Sequence, residues 1–168
     1  MKNYTDQSDY TSLVEDILEH NEFKKLGTII HHGNNRLDHS LRVSYYSYKI
    51  GKALTLDYRQ IARGALLHDF FFEVNEGEEK KTKLKTMMKH PEYALENAKK
   101  YFELSDVESD IIVTHMFPVA PKVPKYLESW LVDLVDDVVS ICEKCYATRH
   151  QLSAAMSFMF VCLTNYLR

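Results

Sequence analysis

His68 and Asp69 are adjacent in the chain, and their residue types and position are well suited to metal chemistry. The pair follows the apolar, small-residue segment Gly64-Ala65-Leu66-Leu67 and precedes Phe70. A carboxylate at the edge of a core is costly unless it is paired or bound to a cation, and the neighbouring imidazole adds a nitrogen ligand. A lone His-Asp pair can equally be a helix C-terminus with a capping histidine. Other candidate ligands must therefore decide between the two interpretations.

Four more side chains stand where they could complete such a site: His39, His90, His115 and Asp136. Each lies next to apolar residues, at a predicted helix end or inside a predicted helix. A single inward histidine is usually a core residue with its hydrogen bonds satisfied. Taken together with the dyad, however, the set predicts one metal site made of six side chains. Mixed imidazole and carboxylate ligation suits iron, manganese, zinc or nickel.

Composition and charge argue against several classes of partner. The net charge of -3 gives no electrostatic footprint for a nucleic-acid polymer. Residues 1–9 are polar, so no signal peptide is expected, and the apolar run of residues 154–163 is too short to span a bilayer. Three cysteines without framework spacing are typical of a reducing cytosol, and we expect a cytoplasmic protein. The Cys142-Glu143-Lys144-Cys145 segment leaves zinc or redox use as a lesser alternative.

The elements that must position the six side chains are predicted to be helices throughout. With 5 glycines, 4 prolines and long amphipathic segments, the 168 residues predict an all-α fold in a single domain. Residues 1–9 are predicted to be a flexible tail, and residues 10–168 the domain with its C-terminal helix. The predicted helices run from about Thr11 to Asn21, Phe23 to Ile30, Asp38 to Leu54, Asp57 to the dyad, Pro91 to Phe102, Ser105 to His115, Leu127 past Cys142, and Arg149 to Leu167.

Local signals define several of these helix ends. Capping boxes are predicted at Ser12, Asp57 and Ser105, and Asp38 is expected to cap the third helix. Proline at position 91 is expected to begin its helix directly after His90. The charged segment of residues 73–89 is predicted to be a mobile loop or a short exposed helix, with a substrate-binding lid as the alternative. A proline-rich loop is expected over residues 116–124, and the Met and Phe stripe of the last helix is expected to be core, or alternatively a dimer face.

The order and spacing of the candidate ligands resemble the HD-domain superfamily of metal-dependent phosphohydrolases. The matching segments are His-Ser-Leu-Arg-Val at His39, Leu-Leu-His-Asp at the dyad, His-Pro-Glu-Tyr-Ala at His90, Ile-Ile-Val-Thr-His-Met at His115 and Leu-Val-Asp-Asp at Asp136. The similarity covers roughly residues 30–145. More narrowly, the Val-Ser-Tyr-Tyr-Ser-Tyr and His-Met-Phe-Pro segments resemble a bacterial branch of that superfamily, which specifies a fold and a metal site but little about substrate.

The resemblance implies an HD-domain helical bundle and a division of the ligands between two ions. One ion would be held by His39, His68, Asp69 and Asp136. The second would be held by His90 and His115, with Asp69 bridging the two ions as the catalytic carboxylate. Iron or manganese is favoured, and zinc, nickel and magnesium remain candidates.

Two departures from the superfamily pattern bear on the substrate. Phe70-Phe71-Phe72 replaces the common Ile-Gly-Lys after the dyad, and Asp137 stands where a lysine usually follows the late aspartate. Cyclic-dinucleotide hydrolysis is therefore disfavoured. The cation that neutralises a substrate phosphate must come from elsewhere, and the candidates are Arg36, Arg42 and Lys83. Asp137 is expected either to orient a ligand histidine or to face water.

The implied function is hydrolysis of a small phosphate ester, of which a nucleotide is one example, by a metal-activated water. Two alternatives are kept: a di-iron oxygenase of the HD type, and a non-catalytic helical domain that binds a metal or another ligand. The expected partner is a small phosphorylated molecule, without a nucleic-acid polymer or a membrane, and a homodimer is an open alternative to a monomer.

Overall fold

Helices account for most of the structure, a computed structural model that describes residues 8–31, 34–72 and 80–166, with only the backbone described at 30–31, 34, 80–87 and 150–166. The fold is all-α, as the sequence predicts. The described α-helices are α1 (Ser8–Glu19), α2 (Asn21–Lys24), α3 (Arg36–Ala53), α4 (Tyr58–Leu67), α5 (Lys80–Tyr101), α6 (Asp106–Thr114) and α7 (Leu127–Tyr166).

A short connection links α2 to α3. The 3₁₀ helix Lys25–Thr28 follows α2 directly, so the predicted helix over residues 23–30 is realised as two short turns. Strand β1 (Ile30–His31) then pairs antiparallel with strand β2 (Asn34–Asn35). Among the described residues, no helix is both long enough and apolar enough to cross a membrane.

Helix α4 lies at the centre of the fold and contributes to two apolar clusters. It packs against α3, α6, α1 and α7. Burying each large apolar side chain contributes about 1.5–3 kcal/mol, so a helix buried on several sides is strongly fixed. One cluster joins α4 to α1, α3 and α5 and includes Tyr10, Val14, Tyr48, Leu66, Leu67, Phe70 and Ala98. The other joins it to α3, α6 and α7 and includes Val43, Ile61, Ala65, Ile111, Val132 and Val139.

The predicted N-cap of α4 and the predicted capping box of α6 are confirmed, but Asp57 forms no capping box with Gln60, because the Asp57 backbone N–H donates to Glu128 and the Gln60 side-chain amide donates to Asp57. The Asp57 carboxylate accepts hydrogen bonds from the backbone N–H groups of Arg59 and Gln60. Ser105 and Glu108 form a capping box, in which each side chain accepts from the other residue's backbone N–H. Because a good cap stabilises a helix by about 1 kcal/mol, these bonds define the starts of the two helices that end at His68 and His115.

Two other predicted caps are wrong. Helix α1 begins at Ser8, so Ser12 lies inside it and its hydroxyl donates to the Asp9 carbonyl. The first two residues of the helix therefore lie within the range predicted as a tail, whose residues 1–7 lie outside the described part of the chain. Helix α3 is capped by Asn35 instead of Asp38, because the Asn35 side chain accepts from the Asp38 N–H at 2.7 Å.

The predicted start of α5 at Pro91 is also wrong. The helix begins at Lys80, and Pro91 lies within it. An internal proline removes one helical hydrogen bond. The preceding segment is rich in lysine, leucine and methionine, which are strong helix formers, and this favours helix before the proline. Residues 80–89 are therefore the first turns of α5, while residues 73–79 lie outside the described residues.

Helix α7 is one continuous helix of 40 residues where two helices are predicted. The sequence between residues 142 and 149 contains neither glycine nor proline, so nothing local ends the helix there. The proline-rich loop before it is confirmed, and its Phe117–Pro118 bond is cis. The predicted burial of the Met and Phe stripe concerns side chains outside the described residues.

Candidate metal centre

The dyad lies at the end of α4 with both side chains buried. The His68 Nδ1 atom is 2.7 Å from the Ala65 carbonyl, which can only accept, so Nδ1 carries the proton. The Nε2 atom then presents a lone pair. It is buried without a hydrogen-bond partner, at 3.8 Å from both Asp69 Oδ2 and Asp136 Oδ1. A lone pair that faces two carboxylates favours a cation between them.

His39 from α3 and Asp136 from α7 form the second part of the site. The His39 Nε2 atom is 2.9 Å from Asp136 Oδ1, and its Nδ1 atom is 3.1 Å from Glu143 Oε2. Burial opposes protonation, but hydrogen bonds to these two carboxylates prevail and raise the pKa of His39 to about 10. His39 thus holds a positive charge at the position where a bound cation would replace the Nε2 proton.

His90 from α5 and His115 at the end of α6 form the third part. Their Nε2 atoms are 2.9 Å apart, and they lie 3.3 and 3.8 Å from Asp69 Oδ1. The His115 Nδ1 atom donates to the Ile112 carbonyl at 2.8 Å. Burial, together with the nearby His68 and His90 rings, lowers the pKa of His115 to about 3. His115 is therefore neutral, which is the form of imidazole that binds a metal.

Asp69 connects the parts because its two oxygens face different histidines. Burial would raise its pKa, but the neighbouring His68, a hydrogen bond from His90 and the neighbouring His90 and His115 rings hold the pKa well below its usual range. Three buried groups of ligand atoms result, each within 4.8 Å: His39, His68 and Asp69; His68, His115 and Asp136; and Asp69, His90 and His115. Two buried carboxylates and converging imidazole nitrogens fit a divalent cation.

The comparison with protein families agrees with this geometry. The family model for the HD domain matches residues 36–140, a range that contains all six side chains. This chain belongs to the HD domain family. HD domains bind divalent metals, and the family includes metal-dependent phosphohydrolases. Searches of curated proteins and of solved structures found no match.

The three substrate-binding candidates of this HD domain lie in different surroundings. Arg36 is buried, donates to the Phe71 carbonyl at 2.6 Å and stacks over the Phe71 ring at 3.9 Å. Arg42 is partly exposed and donates to Glu143 Oε1 at 2.5 Å. Lys83 lies in α5, and its side chain is outside the described residues. Their roles toward a substrate remain predictions.

Sequence reasoning missed two residues that hold ligands in place. Glu143 is buried on α7, seven residues after Asp136, and accepts from both His39 and Arg42. The seven-residue spacing puts it two helical turns beyond Asp136 on one face, a signal that could have identified it. Asp137, which was expected either to orient a ligand histidine or to face water, is exposed. Phe71 is the second residue that was missed. Its ring stacks on the His90 ring, with ring centroids 4.8 Å apart.

Proposed function

We propose that this HD domain is a metal-dependent phosphohydrolase that cleaves a small phosphate ester, with a nucleotide as one candidate. The observation that supports it best is the position of Asp69, between His68 on one side and the His90–His115 pair on the other. A carboxylate in this position can serve two adjacent ions.

Two divalent ions are proposed, with iron or manganese favoured over zinc, nickel or magnesium. When bound, such ions act as Lewis acids toward phosphoryl oxygens and lower the pKa of a coordinated water towards about 7. The first would be held by His39, His68, Asp69 and Asp136, and the second by His90, His115 and Asp69.

The chain's own residues keep the ligand nitrogens pointing inward. The Ala65 and Ile112 carbonyls accept the Nδ1 protons of His68 and His115, and this fixes both Nε2 lone pairs toward the centre. Glu143 likewise accepts from Nδ1 of His39, which holds the His39 Nε2 atom toward Asp136. Because these hydrogen bonds exist without a substrate, little reorganisation is needed when one binds.

Arg42 is the candidate for the cation that neutralises the substrate phosphate. The Arg42 guanidinium contacts Glu143, and Glu143 contacts His39. Glu143 therefore links Arg42 to a proposed metal ligand. It is partly exposed, and guanidinium geometry matches a phosphate. The Arg36 guanidinium stacks on the Phe71 ring, and the Phe71 ring stacks on His90, so Arg36 supports His90 indirectly.

The test is metal-dependent phosphate release from a panel of phosphate esters, by protein purified without chelators or an affinity tag. We expect release with iron or manganese, equal with and without oxygen, and lost in Asp69→Asn. Asp106→Asn, which changes an exposed aspartate at the start of α6, should retain activity. Oxygen-dependent turnover without phosphate release would overturn the proposal in favour of an oxygenase. Absence of both metal and turnover after reconstitution would overturn it in favour of a binding domain.

A further inference from the structure

Helix α7 carries a heptad pattern that the metal centre does not use. With Leu127 at position d and Leu131 at position a, the pattern continues to the end of the helix, and only Thr148 breaks its apolar character. A regular apolar repeat at a and d is the pattern of a two-stranded coiled coil. The a and d positions are Leu127, Leu131, Leu134, Val138, Ile141, Cys145, Thr148, Leu152, Ala155, Met159, Cys162 and Tyr166.

Most of the described part of this seam faces away from the domain, while Leu131 is partly buried against the cluster that contains Val43 and Ile61. Leu134, Val138 and Ile141 are 62%, 52% and 60% exposed, whereas Val132 and Val139 are 0% and 7% exposed. At 100° per residue, the exposed and buried sets lie on opposite sides of the helix. The inner side packs against α3, α4 and α6. A contiguous exposed apolar stripe of this kind marks an interaction surface.

We propose that the seam of α7 pairs with α7 of a second copy of this chain, as an antiparallel two-stranded coiled coil. The seam matches itself, because each a residue of one helix would lie opposite a d residue of the other. At 1.5 Å per residue the 40-residue helix is about 60 Å long, which gives room for several layers. The central layers would place Val138 opposite Ile141 of the second copy.

Charged side chains at the e and g positions beside the seam decide whether the two α7 helices pair antiparallel or parallel. In an antiparallel pair, e positions flank e positions and g positions flank g positions. With Val138 opposite Ile141, Glu128 at e then lies near Arg149 of the second copy, and Asp137 at g lies near Lys144 of the second copy. Each contact occurs twice by symmetry. A parallel pair would instead place Lys144 against Arg149 and would form no pair of opposite charges along the described seam.

The association is tested on the full chain by light scattering coupled to size exclusion. We expect a mass of twice the 19.7 kDa chain for the wild type, and the mass of one chain for Ile141→Asp. Because Ile141 is exposed in a single chain, this substitution should leave helicity and metal content unchanged. Tyr146→Asp, on α7 but outside the a, d, e and g positions, should remain dimeric. A monomeric wild type, or a dimeric Ile141→Asp, would overturn the proposal.

The direction is tested with Lys144→Glu. In the antiparallel pair this change replaces two attractions with two repulsions, and we expect the dissociation constant to rise about tenfold. The double substitution Asp137→Lys and Lys144→Glu should restore the dissociation constant of the wild type. In a parallel pair, Lys144→Glu would remove a repulsion, so tighter association of this variant would overturn the antiparallel arrangement.

Cysteine chemistry supplies a second measure of direction. Leu134 lies at d, and the antiparallel layer opposite it contains Cys145 of the second copy. Mild oxidation of Leu134→Cys should give a disulfide between the introduced thiol and Cys145 of the second copy, identified by peptide mapping. Disulfides joining position 134 to position 134 would indicate a parallel pair and overturn the assignment.

Discussion

The Asp69 carboxylate determines the charge balance of the metal centre. It is 4% exposed, and its oxygens face three histidines at 3.3–3.8 Å. A buried carboxylate is stable as an anion only when cations or hydrogen-bond donors surround it. A bound divalent ion supplies that positive charge while the imidazoles remain neutral.

If the proposed two ions bind, Asp69→Asn should therefore lose both, whereas His115→Ala should lose only the ion proposed to be held with His90. Asparagine keeps the shape of the side chain but removes its negative charge. The measurement is metal per chain by elemental analysis after purification without chelators, with Asp106→Asn as the matched control. Equal metal content in the wild type and Asp69→Asn would contradict the site.

At the scale of elements, the distance between α4 and α6 controls how the dyad meets His115. At Gly64 of α4, an added Cβ would meet Ile111 and Glu108 of α6. The two helices end at His68 and His115, whose ring centroids are 4.8 Å apart. A change in the spacing of the helices is therefore transmitted to the ligand nitrogens.

Gly64→Ala should destabilise the fold and weaken binding of the second proposed ion more than binding of the first. The added Cβ would stand 3.0 Å from Ile111 Cδ1 and 3.2 Å from the Glu108 Cα, a backbone atom that cannot yield without moving α6. Overpacking of this kind costs about 1–3 kcal/mol. Chemical denaturation and metal content are the measurements.

Gly51→Ala is the matched control, because its added Cβ would stand 2.5 Å from Ile61 Cδ1, the end of a side chain that can shift without moving a helix backbone. Alanine also favours helix over glycine by about 0.5–1 kcal/mol, so we expect a smaller loss of stability and unchanged metal content. A larger loss of stability and metal content in Gly51→Ala than in Gly64→Ala would contradict the view that packing of α6 against Gly64 positions His115.

The same elements show which features a sequence can predict. The caps at Asp57 and Ser105 are set by bonds within three residues, so local pattern identifies them. The start of α5 depends on helix propensity prevailing over the signal from Pro91, and local pattern gave the wrong answer. Glu143 was missed because its partner His39 is 104 residues away, and only packing of α3 on α7 brings them together.

At the scale of the whole molecule, the candidate metal centre joins residues of three helices with residues that directly follow two others. His39 lies in α3, His90 in α5 and Asp136 in α7. The dyad directly follows α4, and His115 directly follows α6. Much of the chain between residues 36 and 143 must fold before the ligands meet. An ion that binds only the folded state therefore stabilises the domain as a whole.

Metal removal should lower the melting temperature. With a free metal concentration about 100 times the dissociation constant, binding contributes about 2.7 kcal/mol, which for a chain of this size corresponds to roughly 5–10 °C. The measurement is thermal unfolding of chelator-treated protein before and after addition of manganese.

The increase should grow with metal concentration, because the stabilisation follows the logarithm of free metal over the dissociation constant. It should be absent in Asp69→Asn and retained in Asp106→Asn, since only the first change removes a charge from the centre. A melting temperature insensitive to manganese in the wild type would mean that the buried carboxylates are balanced by protonated histidines alone. His39, whose pKa is raised to about 10 beside Asp136 and Glu143, shows how such a proton can take the place of a metal.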